Sequence, residues 1–325
     1  MCWSGEASTV LAATGIAGAA YSALKRNPEP LALWVCLLYF ASMEALQAVS
    51  YSVLDQCDSP LNQMMTLFGY LHIAFQPFFI NSVALYFMPK DAARKVAPIT
   101  YAACFVGAIA MLVQLYPFNW AGHCQIGRPL CGEFLCTVHG EWHLAWLVPT
   151  NGIGNSMADN AWLGRGFLSY PLTAFLLPAL IGSWRFTLFS YVAGPFVAAL
   201  TTNNINEWPA VWCLFSIGLV LAIIKTPLRH HLHVGEPWWV MLGKWRAARK
   251  LAAARPAVPE PVVAVAPVAA AEPDAAPEPV ATGEVVEPVP PPPFDANEIV
   301  APPAAPFTPI APTQSPWSRA RSHVV

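Results

Sequence analysis

Charged side chains are scarce in this sequence. They make up 11% of its 325 residues, against roughly 25% in an ordinary soluble domain. The net charge is only −2, so no overall field favours nucleic acid as a partner. Basic residues are also missing from the start: Met1 to Ser8 carries Glu6 alone, and Lys25-Arg26 follows the first apolar stretch. That order argues against a cleavable leader and predicts a first span whose N-terminus lies outside. There is no Gly-x-x-x-x-Gly-Lys-Ser/Thr loop, dinucleotide fingerprint or Gly-x-Ser-x-Gly elbow. Their absence excludes P-loop ATPases, nicotinamide enzymes and ordinary serine hydrolases.

What is present is apolar: 56% of the residues are hydrophobic, gathered in stretches near 8–24, 31–54, 63–88, 97–116, 167–183, 186–202 and 208–224. A 17-residue helix rises about 26 Å, the lower limit for a bilayer core of about 30 Å. The expected fold is therefore all-α, a seven-helix transmembrane bundle over 1–225. In that threading Lys25, Arg26, Lys90, Arg94, Lys95, Arg185, Lys225, Arg229, Lys244, Arg246, Arg249, Lys250 and Arg255 share one side, and only Arg128 and Arg165 lie on the other. Lys and Arg are retained on the cytoplasmic face, so the N-terminus is expected outside and the C-terminus inside. The expected location is a bacterial inner (plasma) membrane, with the lipid bilayer as the first partner. Gly15 and Gly18, among alanines, predict close helix approach in the first span, and prolines 77, 98, 171, 178 and 195 predict kinks.

Two further regions follow. Residues 226–255 mix Trp238, Trp239 and Trp245 with Lys and Arg, a pairing that predicts an amphipathic helix along a headgroup layer near 237–253. His230, His231 and His233 precede it as a solvated basic surface. Residues 256–325 are rich in Pro and Ala, with the run Pro290 to Pro293. Such a segment is expected to be a disordered cytoplasmic tail, a linker or a docking site for a Pro-binding partner.

Ionisable groups inside a span cost about 2.5–3.5 kcal/mol at a helix centre, so those that persist carry information. Glu44 in the second stretch and His72 in the third fall at similar depth, roughly 13–15 Å from the outer end at 1.5 Å per residue. Gln47 and Tyr51 share the Glu44 face, and Gln76 shares that of His72. Glu44, Gln47, His72 and Gln76 are thus expected to form one polar cluster, either stapling neighbouring helices or lining a pocket.

The connection 117–166 is rich in Cys, His and Trp. Cys2, Cys57, Cys124, Cys131 and Cys136 all fall outside, where disulfides are permitted. Five thiols allow two bridges in any of fifteen arrangements, and spacing does not choose among them. Cys36, Cys104 and Cys213 lie within spans as small packing residues. His139, Glu141 and His143 place two imidazoles and a carboxylate within five residues, which on a helix suits zinc, although Gly140 weakens the helix. The apolar run 142–150 is too short to span and reads as an interfacial or dipping segment. Asn203, Asn204, Asn206 and Glu207 are further candidates for an outer vestibule.

The opening Met1-Cys2-Trp3-Ser4, the run Met43-Glu44-Ala45-Leu46-Gln47, the loop Asp55-Gln56-Cys57 and the run Tyr70 to Asn81 resemble a family of uncharacterised polytopic membrane proteins found mainly in bacteria. So do Gly182-Ser183-Trp184-Arg185-Phe186 and Asn206 to Cys213. The resemblance covers roughly residues 1–225 and implies no activity. Seven-span zinc amidohydrolases, such as alkaline ceramidases, are similar in span number. They carry a His-x-x-x-His pair in the last span, however, and 208–224 holds no His.

Three functions follow as expectations. The first is a membrane protein that binds or moves a small molecule, lipid or proton through a polar pocket in the outer half of the bundle, with no cofactor. The second is an intramembrane metal-dependent hydrolase, with zinc on His72, His139 and His143 and with Glu44 or Glu141 as base. The third is a scaffold acting through its Pro-rich tail.

Overall fold

Helices fill each of the apolar stretches in a computed structural model that describes residues 3–154 and 168–254. Cys2, Arg165 and the tail lie outside the described residues. Of two compact units, Met1–Val258 and Pro259–Val325, only the first contains described residues.

Helices α1 (Gly5–Leu24), α2 (Leu31–Ser50, prolonged by a 3-10 turn, Tyr51–Val53), α3 (Pro60–Tyr86) and α4 (Lys90–Val113) come first. Next comes a hairpin of β1 (Cys136–His139) and β2 (Leu144–Leu147). After it run α5 (Ser169–Ile181), α6 (184–201), α7 (Trp208–Lys225), α8 (Leu228–Leu232) and α9 (Trp238–Ala254). Four helices, Gly5–Leu24, Leu31–Val53, Lys90–Val113 and Trp208–Lys225, are long and apolar enough to cross a membrane. Val10, Ile16, Ile99, Phe105 and Val106 are exposed on them, as the lipid-facing sides of a membrane protein require.

Four polar residues of α3 point the other way. Asn62, Thr66, Gln76 and Asn81 are all buried, and α3 packs against α2, α4, α5 and the hairpin. Helix α2 lies against α1, α3 and α7. Its contact with α1 is close at Gly15, where a Cβ would come within 2.7 Å of the Ala41 Cβ, as the small residues of the first stretch predicted.

α5 and α6 are each interrupted by one π-wound turn, Leu172–Leu176 and Val192–Phe196. In α5 the Leu177 N–H reaches five residues back to the Leu172 carbonyl, and Pro178 beyond it has no N–H to donate. The shift deprives the Thr173 carbonyl of its helical donor. The Asn81 amide of α3 takes that carbonyl at 2.8 Å and also donates to Pro77 O at 2.8 Å. The prolines therefore do more than bend these helices, since one freed carbonyl becomes a cross-helix bond.

The connection 117–166 differs most from expectation. The core of the run 142–150 is strand β2, antiparallel to β1 with Thr137 opposite Trp146 and His139 opposite Leu144. Leu144, Ala145, Trp146 and Val148 are buried. The apolar run is satisfied by protein, because Asn62 of α3 donates to Thr137 O and accepts the Thr137 N–H, while the Trp146 ring lies on Gly69. Disulfides Cys57–Cys136 and Cys124–Cys131 stitch this cap together.

The opposite end gathers the turns after α1, α3, α5 and α7. There the Trp238 and Trp239 indoles of α9 donate to carbonyls of α5, and Val234 N–H bonds Phe87 O.

Candidate functional site

Helical geometry sets Glu44, Gln47 and Tyr51 on one face of α2, at i, i+3 and i+7. Glu44 and Gln47 are fully buried. Neither carboxylate oxygen of Glu44, and neither polar atom of Gln47, has a hydrogen-bond partner. The Ser8 hydroxyl of α1 lies beside Glu44 without closing a hydrogen bond to it, and it accepts the Trp3 indole N–H at 2.8 Å.

The cap meets the same face of α2 at Tyr51. His143 is fully buried and bonds Tyr51 Oη through Nδ1 at 2.6 Å. The Trp3 and Trp142 rings surround it. Burial pushes its imidazole down to about 3, so the ring is neutral at physiological pH. With the Tyr51 hydroxyl as donor to Nδ1, the ring proton sits on Nε2, which has no partner. The site is thus a buried carboxyl, an amide and an imidazole, each with unsatisfied polar atoms. Such atoms cost roughly 1–3 kcal/mol each when nothing answers them.

The turn that carries His143 is positioned by Glu207, at the start of α7. Glu207 is fully buried, and its carboxylate accepts the N–H groups of Glu141 (2.9 Å), Trp142 (2.7 Å) and His143, together with the Thr202 hydroxyl (2.7 Å). A Cβ on Gly140 would fall 2.6 Å from the Glu207 Cδ, so the approach requires glycine there.

His72 does not join Glu44. Its Nε2 meets the Tyr39 carbonyl at 2.8 Å, and its ring stacks on Tyr39 at 3.8 Å. Glu44 lies five residues beyond Tyr39, about 140° further round α2, so similar depth did not mean a shared face. Gln76 accepts the Tyr170 hydroxyl at 2.6 Å and donates to Cys213 Sγ at 3.7 Å.

The residues proposed for zinc diverge. His139 is exposed and paired with Asp55 through its ring and its backbone N–H. Glu141 accepts from the Thr202 hydroxyl and the Asn203 N–H. His143 belongs to Tyr51. A hairpin turn separates what a helix would have aligned. Among the described residues no group of three His, Cys, Asp or Glu side chains is arranged to hold a metal ion. Of the five cysteines expected outside, four are paired as described, and Cys2 lies outside the described residues.

Sequence reasoning missed the roles of Ser8, Glu207 and Tyr170. Glu207 carried a faint signal, an acid directly ahead of Trp208-Pro209 at a helix start. Ser8 and Tyr170 carried none.

A family model described as "Family of unknown function (DUF5765)" matches residues 6–233, from the first turn of α1 to the residue after α8. No curated protein and no solved structure matches the chain. The matched stretch includes every residue of the Glu44 group except Trp3, and the chain belongs to DUF5765, a family of unknown function.

Proposed function

We propose that the protein is a seven-span membrane protein that binds a small polar molecule, or passes a proton, at the Glu44–Gln47–His143 pocket in the outer half of its bundle. One observation carries this reading. Five buried polar atoms on these three side chains have no partner, on one helix face and on the imidazole that bonds it. A pair of helices needing only a staple is served as well by two amides, without a carboxyl's desolvation. Atoms left open in this way suit water, a proton or a polar ligand that completes them.

The orientation follows from both ends. The cap holds two disulfides, which belong in an oxidising compartment. The turns at the other end hold Lys25, Arg185, Lys225 and Arg229, which belong in the cytoplasm. The pocket then opens toward the periplasm-like side of an inner membrane, beneath the cap. The Pro-rich tail is a cytoplasmic linker in this arrangement.

The experiment compares wild type with Glu44→Gln, full-length and reconstituted. Extracts of purified protein are analysed by mass spectrometry for a small molecule, and proteoliposomes carrying an entrapped pH dye report proton flux. A compound or a flux present in wild type and lost in Glu44→Gln supports the pocket. Identical extracts together with identical flux reject it.

A further inference from the structure

At the end of the bundle opposite the cap lies a cavity of about 480 Å³, within the range of about 300–1,000 Å³ that holds small ligands. Lys225, Arg229, His230, His233 and Tyr86 line it. Its electrostatics are one-sided. The carboxylate bonded there is Glu29, already shared between Lys25 and Arg229. Among the described residues Lys225 has no carboxylate partner; its ammonium sits 4.5 Å from the centre of the Tyr21 ring.

The guanidinium of Arg229 is held rigidly. Its Nε donates to Tyr86 Oη at 2.6 Å and its Nη1 to Glu29 at 2.7 Å. Two of its three nitrogens are thereby fixed, and Nη2 is left for another acceptor. A pre-set guanidinium edge, an ammonium and an imidazole present donors from several directions. Tetrahedral oxyanions accept that arrangement, because their oxygens spread in three dimensions.

The cavity also sits where helices leave the lipid. Lys225 ends the apolar helix α7. Tyr21 and Leu24, in the last turn of α1, are exposed. Basic pockets between apolar helices at such a level suit lipid headgroups.

We propose that this cavity is a binding site for a phosphate group, presented by an anionic lipid headgroup at the membrane surface. A soluble phosphate would meet the same donors, and the test separates the two sources. The site is independent of the Glu44 pocket, lying at the other end of the bundle.

Native mass spectrometry of the full chain, purified with equal phosphatidylcholine and phosphatidylglycerol, reads the lipid retained. Wild type is expected to retain phosphatidylglycerol preferentially, and Lys225→Gln to weaken that preference about fivefold, as one cation at an anionic surface contributes. Among the described residues Lys225 makes no side-chain hydrogen bond or ion pair, only its contact with the Tyr21 ring, so this variant is expected to keep its structure. Lys95→Gln, which removes the same charge from an exposed position on α4 outside the cavity lining, is expected to leave the preference unchanged. In a second arm, inorganic phosphate is added to protein in neutral lipid and melting is followed. Stabilisation by phosphate that Lys225→Gln reduces, without lipid preference, keeps the site and assigns it to a soluble anion. The absence of both lipid preference and phosphate stabilisation overturns the proposal. So does an equal loss in Lys95→Gln and Lys225→Gln, which marks diffuse attraction.

Discussion

Tyr51 and His143 are hydrogen-bonded, Oη to Nδ1, at 2.6 Å across 92 residues of sequence. The bond joins the C-terminal end of α2 to the turn of the hairpin, on the helix face that carries Glu44 and Gln47. Because His143 is fully buried, its protonation is tied to folding. Burial holds the folded pKa down to about 3, whereas an unfolded histidine titrates near 6.5. Above pH about 6.5 both states are neutral and the residue adds no pH dependence. As pH falls below that, the unfolded chain binds a proton that the folded one refuses, so stability drops until the folded pKa is reached. The loss is about 2 kcal/mol between pH 6.5 and 5. His143→Gln removes it: the stability gap between wild type and variant should narrow by that amount over this interval, read by thermal unfolding of the purified protein at each pH.

Glu44 yields a prediction of opposite sign for stability and function. Its carboxyl is buried and unpartnered, so the fold bears its desolvation without an answering bond. Replacing it with an apolar residue of similar size removes that burden. Glu44→Leu is expected to raise stability by about 1–3 kcal/mol while abolishing the binding or flux proposed for the pocket. Melting temperature and the proteoliposome assay, run on the same preparation, check both halves. A destabilised Glu44→Leu would mean that the carboxyl is a structural staple.

The sequence made the helical framework readable, since scarce charge and long apolar stretches admit few alternatives. The helix ending at Lys225 and the helix α9 fell close to where the pattern placed them. Glu44 and Gln47 were legible because polar groups in apolar helices are costly. His72 was misassigned because depth was inferred from spacing, while the face of α2 that meets α3 depends on packing. The cap was illegible for a different reason. Four-residue strands such as Leu144–Leu147 have no period long enough to distinguish them from a short apolar helix. Their pairing is imposed from outside, by Asn62 of α3 and by the Cys57–Cys136 bridge.

The disulfides make the proposed threading measurable. Cys36, Cys104 and Cys213 are buried and unpaired, so intact protein should offer an impermeant maleimide none of the cysteines among the described residues. After mild reduction, Cys57, Cys124, Cys131 and Cys136 should label from the outer side of sealed membranes. Cysteine introduced at Lys225 should label only from the inner side. Labelling of both sets from one side would overturn the orientation. Reduction of Cys57–Cys136, which closes a loop of 79 residues, should also cost roughly 2–4 kcal/mol of stability.

The contact between Gly140 and Glu207 tests whether the cap turn positions the site. Three successive N–H groups, from Glu141 to His143, converge on one carboxylate, and hydrogen bonds to a charged group are each worth about 1.5–3 kcal/mol. Gly140→Ala places a methyl 2.6 Å from the Glu207 Cδ and must push the turn away. Glu207→Gln keeps the shape of the side chain but replaces one accepting oxygen with an NH₂ that faces donors. Both variants should lose about 2–4 kcal/mol of local stability, seen as faster amide exchange at 141–143, while α3 and α4 keep their protection. Because the turn carries His143, both should also weaken the Glu44 pocket although neither residue belongs to it. If amide exchange accelerates and the pocket's binding or flux is unchanged, the cap is a lid of no consequence to the site, and Glu44 and Gln47 act without His143.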